Sequence, residues 1–168
     1  MISSAVLVIF PMLVAFGGVS DLLTMTIQNR VSVLLVAGFC MLALAAGLPP
    51  IAWGEHLLGL LVVFVPCFLF FAAGWMGGGD VKFISAIALW IGFSPELTVF
   101  ITFVAIYGML LTLGLLFARQ NMGVPAILMR AQFCEKLLHK DSGIPYGIAI
   151  AVAGLQVYPE TFWFKLVS

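Results

Sequence analysis

The chain alternates between long apolar runs and short polar breaks. Residues 1–20, 31–48, 56–75 and 97–118 contain no Asp, Glu, Lys or Arg. About 20 apolar residues in a helix cross the ~30 Å hydrocarbon core of a bilayer, so each run predicts a membrane span. The run 31–48 ends at Pro49 and Pro50, which cannot continue a helix. Two shorter candidates follow the same pattern, Asp80 to about Phe93 and Pro145 to about Tyr158. The first covers only about 20 Å at 1.5 Å per residue, so its flanks must help it cross. Residues 119–142 differ. Val124, Ile127, Leu128, Ala131, Cys134, Leu137 and Leu138 recur at helical spacing opposite Arg130, Glu135, Lys136, His139 and Lys140. That pattern predicts an amphipathic helix on the membrane surface over about 120–142.

Composition supports this reading. The chain is 64% hydrophobic and 8% charged, with a mean hydropathy of +1.23. A soluble domain carries about a quarter of its residues charged, and 168 residues cannot hide this much apolar surface from water. The expected fold is an all-α polytopic bundle of about six membrane helices, forming one domain over residues 1–168. The net charge is zero, which argues against nucleic acid as a partner and leaves membrane lipid as the surrounding medium. A cleaved signal peptide is disfavoured, because the first residues lack Lys and Arg and no A-x-A-like site precedes Asp21. Cys40, Cys67 and Cys134 form no C-x-x-C pair, and no metal set or cofactor is expected.

Basic residues set an orientation. With six alternating spans, Arg30, Lys82, Arg119, Arg130, Lys136 and Lys140 fall on one side, the cytoplasmic side by the positive-inside rule. Glu55, Glu96, Glu160 and Lys165 fall opposite, and both termini are expected outside. Asp21 then ends span 1 and Asp80 opens span 4 at the same cytoplasmic edge. His56 and His139 lie on opposite sides, His56 as an interfacial residue and His139 on a solvated face.

An ionisable group at this depth is expensive and usually functional. Asp80 has an ordinary alternative as a helix N-cap behind a glycine turn. Asp21 has a weaker one, since a carboxylate at a helix C-terminus meets the negative end of the dipole. Gly77, Gly78 and Gly79 precede Asp80, and glycine suits a site that another main chain must approach closely. Two carboxylates a few ångströms apart share a proton, and such a pair can activate water against an amide without metal or cofactor. No H-E-x-x-H or G-x-S-x-G pattern offers another hydrolytic scheme.

At these residues the chain resembles the type IV prepilin peptidases, the GxGD membrane aspartyl proteases. "GGGDVKF" matches the second catalytic motif, with Asp80 in the catalytic place. Asp21, followed by "LLTMTIQN", is similar to the first, which precedes an Ile-Pro-Asn segment; Ile27 and Asn29 match and Gln28 replaces the proline. "IPYG", holding Pro145, Tyr146 and Gly147, resembles the Pro-Tyr-Gly element that opens the last span. The resemblance implies removal of a basic leader from a prepilin or pseudopilin at the cytoplasmic face of the bacterial inner membrane. It also implies pilus or secretion-assembly components as partners.

Large bifunctional members carry a methyltransferase insertion with two C-x-x-C pairs. Nothing in residues 1–168 corresponds, so the chain is similar to the short form of tight-adherence (Flp-type) pili, with preflagellin peptidases as near relatives. Lys82 has two readings, tuning the pair or holding an acidic residue of the substrate, or snorkelling to lipid phosphate. A small transporter or channel subunit remains the competing class, since intramembrane carboxylates also carry protons and cations. An inactive scaffold is the third.

Overall fold

The computed structural model describes residues 2–121 and 143–166. Those residues form helices and no strands: α1 (Ile2–Thr24), α2 (Asn29–Ala45), α3 (Pro50–Ala72), α4 (Gly78–Ile91), α5 (Pro95–Asn121) and α6 (Tyr146–Val157). A 3₁₀ turn (Tyr158–Glu160) and a short α7 (Phe162–Lys165) follow. Helix is the expected answer in lipid, where each backbone N–H and C=O must find its partner within the segment. Of the amphipathic stretch expected over 120–142, all but its first two residues lie outside the described residues.

Three helices are long and apolar enough to cross a membrane, over Ser4–Thr24, Pro50–Ala72 and Pro95–Gln120, and α2 is a shorter apolar helix. The fold is that of a helical membrane protein. Its centre is α4, from which Val81 and every residue from Phe83 to Ile91 is buried. A helix apolar on all sides belongs in the interior, which is why 14 residues suffice. Helices α2, α3 and α6 pack against α4; α1 lies across α2 and α6, and α5 against α6. Small residues set the tightest crossing. A Cβ on Gly18 of α1 would stand 2.5 Å from the Ala151 Cβ of α6, so the glycine lets the two helices approach.

Several boundaries differ from the sequence reading. Helix α1 runs past Asp21 to Thr24, placing the aspartate inside the last turn rather than after it. Helix α3 starts at Pro50, well before the expected residue 56, because proline at the first helical position costs no hydrogen bond. Glu55 and His56 are therefore inside α3. The expectation of an interfacial His56 is corrected: the residue is 5% exposed, and its Nδ1 lies 2.8 Å from the Leu89 carbonyl oxygen. The hydrogen bond to α4 offsets the burial of its polar ring.

Phe39 and Trp163 flank His56, and Trp90 and Phe10 extend the same aromatic cluster. The Tyr158 hydroxyl donates to the Val6 carbonyl at 2.7 Å, fastening the end of the chain to the start of α1. Lys165 stands 3.6 Å from both Glu96 and Glu160. A small pocket of about 310 Å³ lies at this end, lined by Glu55, His56 and Glu96 among others. The two aspartates gather at the other.

Candidate functional site

The last turn of α1, the link to α2 and the first turns of α2, α4 and α6 meet at the end of the bundle away from the aromatic cluster. Asp21 comes from the first, and Asp80 from the first turn of α4. Asp21 is 4% exposed and Asp80 half-buried. They lie close enough for the charge of Asp21 to act on Asp80. Residues 59 positions apart in sequence thus come near each other at one end of the fold.

Asp21 is held by a main-chain amide. The Gly147 N–H, at the start of α6, donates to Asp21 Oδ2 at 2.7 Å. A Cβ on Gly147 would lie 2.8 Å from that oxygen and 2.7 Å from Ile27 Cδ1, so only glycine lets the amide come this near. Asp80 folds back toward the Gly77 backbone. Gly77 is the N-cap of α4 and Asp80 its third helical residue, so the carboxylate sits at the positive end of the helix dipole. A Cβ on Gly77 would come within 2.9 Å of Asp80 Oδ2. The N-cap alternative weighed from sequence is corrected: Gly77 takes the cap position and Asp80 stands inside the first turn.

Ile27 fills the space around the pair. It is buried, touches the position of Gly147 from one side and lies at ordinary contact distance from Gly79. Gly78 faces Phe71 instead. The chain reaches Ile27 through Met25, whose φ of 59° is the left-handed conformation that glycine usually supplies after a helix. Asn29 opens α2, and its Oδ1 accepts a hydrogen bond from Lys82 Nζ at 2.9 Å. That contact ties the segment after Asp21 to the segment after Asp80.

The remaining sequence candidates separate. Pro145 is buried as the N-cap of α6. Tyr146 points away from the aspartates, its hydroxyl 3.0 Å from Thr112 Oγ1 on α5. Of the Pro-Tyr-Gly element, the glycine amide alone reaches a carboxylate. Sequence reasoning marked Gly147 but gave its N–H no task, and it missed Ile27 as the wedge between the two motifs. Among the described residues no three of His, Cys, Asp and Glu come together as a metal site would require.

The sequence model of the type IV leader peptidase family matches residues 7–113, more than half of the chain and including both aspartates. No curated protein and no solved structure matches significantly.

Proposed function

The chain belongs to the type IV leader peptidase family, and on that premise we propose that it is an aspartic endopeptidase whose catalytic pair is Asp21 and Asp80. It removes the basic leader of a prepilin or pseudopilin of the Flp type, at the cytoplasmic face of the bacterial inner membrane, without methylating the product. The observation that carries this reading is the nearness of the two carboxyls at one end of the bundle, with Asp21 steadied by the Gly147 amide.

The chemistry follows from one proton shared by two acids. The ionised carboxylate takes a proton from water as the water oxygen bonds to the amide carbon. The protonated partner gives its proton to the carbonyl oxygen. Collapse of the tetrahedral intermediate breaks the C–N bond, and the leaving nitrogen takes a proton from the pair. The Gly147 amide leaves Asp21 Oδ1 without a donor among the described residues, free to face water and the partner acid. Gly77, exposed beside Asp80, is where the extended main chain of a substrate approaches the pair. A transport role would favour carboxylates near the midplane, reached from both sides. Here both stand at one end.

Leader removal by the purified protein, followed across pH, tests the mechanism. A shared proton gives a bell: activity falls at low pH as the pair gains a second proton, and at high pH as it loses the shared one. Cleavage should also survive a metal chelator and a thiol-blocking reagent. Abolition by the chelator would contradict the proposal.

A further inference from the structure

A groove of about 600 Å³ runs between α2 and α3 with α4 as its floor, beside the aspartate pair but apart from the cleavage chemistry. Its head is polar. Lys82 is exposed and bonded to Asn29, and among the described residues no carboxylate lies within ion-pair distance of it. Ser32 and Ser85 stand beside this pair. Ser85 is only 4% exposed, and its Oγ has no hydrogen-bond partner among the described residues. A buried hydroxyl left unpaired is costly, and rotation of the Ser85 Oγ into the groove to meet an acceptor oxygen would remove that cost.

The rest of the groove is dry, walled by Val33 and Val36 of α2 and Leu60 and Phe64 of α3. From Asn29 to Val36 the axis advances about 10 Å, well within one ~15 Å leaflet. That length suits an acyl chain and is too short for a spanning helix. A single cation over hydroxyls, opening onto an apolar channel about 10 Å long within one leaflet, is complementary to an anionic amphiphile.

We propose that this groove binds one anionic phospholipid from the leaflet on the aspartate side. The phosphate sits at Lys82, Asn29 and the two serines, and an acyl chain lies along Val33, Val36, Leu60 and Phe64. The proposal does not depend on the cleavage mechanism, so either can fail without the other.

Native mass spectrometry of the full chain, released from membranes of equal phosphatidylglycerol and phosphatidylcholine, tests it. One phosphatidylglycerol should be retained over phosphatidylcholine by about fivefold, the effect of one lysine near an anionic headgroup. Lys82→Gln should bring the two lipids to parity, while Lys82→Arg keeps the preference. Val36→Trp, which fills the channel and leaves the Lys82–Asn29 contact in place, should abolish retention. Equal retention by the wild type, or a preference that survives both Lys82→Gln and Val36→Trp, means annular lipid only and overturns the proposal. So does Lys82→Gln weakening prepilin binding with phosphatidylglycerol retention unchanged, because the lysine would then serve a peptide carboxylate. Should Lys82→Gln fail to fold, Val36→Trp alone decides.

Discussion

Asp21 and Asp80 were both visible in the sequence because a carboxylate inside so apolar a chain is conspicuous. Their pairing was readable from topology, as two turns on the same side of the membrane. What holds them was not, since sequence carries no mark of which backbone amide will face a side chain. Gly147 illustrates the gap: it stands in a noticed motif, yet its use depends on a helix crossing. Gly147→Ala should therefore act on the site. The added Cβ would stand 2.8 Å from Asp21 Oδ2, so the carboxylate must move. A displacement near 1 Å costs on the order of 100-fold in rate. Cleavage kinetics beside thermal unfolding would check it; full activity in the variant would show that the amide contact is dispensable. His56 was misplaced for a related reason. A polar ring next to a glutamate looks interfacial until a carbonyl from another helix is known to meet it.

At the scale of elements, apolar runs located the helices, and their ends shifted where charge was taken as the membrane edge. In the α1–α2 link, Gln28 stands in the place of the motif's proline. The structure gives Gln28 a φ of −66° and ψ of 132°, close to the −68° and 153° of Pro49 at the start of α3. Its backbone already has the shape a proline ring would impose. Gln28→Pro should then stabilise the protein by about 0.4–1 kcal/mol, by restricting the unfolded chain. Leader cleavage should persist. Thermal unfolding in detergent measures the change, and a lower melting temperature would contradict it. The amphipathic pattern over 120–142 belongs to this scale too, and residues 122–142 lie outside the described structure.

For the whole molecule, composition was decisive about lipid and silent about order. Lipid tails and a protein interior are equally apolar, so hydropathy does not say which helix is central. Only the shortness of α4 hinted that it needed cover. The architecture separates tasks along its axis, with aromatic packing at one end and the aspartates at the other. Tyr158 tests that separation. Tyr158→Phe removes a buried hydrogen bond to Val6, which should cost about 0.5–1.5 kcal/mol of stability. The cleavage rate should not change, because the lost contact lies at the far end from Asp21. A variant that is fully stable yet slow would show that the ends are coupled.

The most direct test of the central claim is leader removal from a co-expressed Flp-type prepilin, read as a shift to a shorter product. The wild type is set beside Asp21→Asn and Asp80→Asn, near-isosteric changes that each abolish the shared proton. With each variant present in the membrane at wild-type level, cleavage should fall by about 10²–10⁴-fold. If both variants process the prepilin as well as the wild type, the aspartates only cap and pack, and the two-aspartate mechanism is wrong.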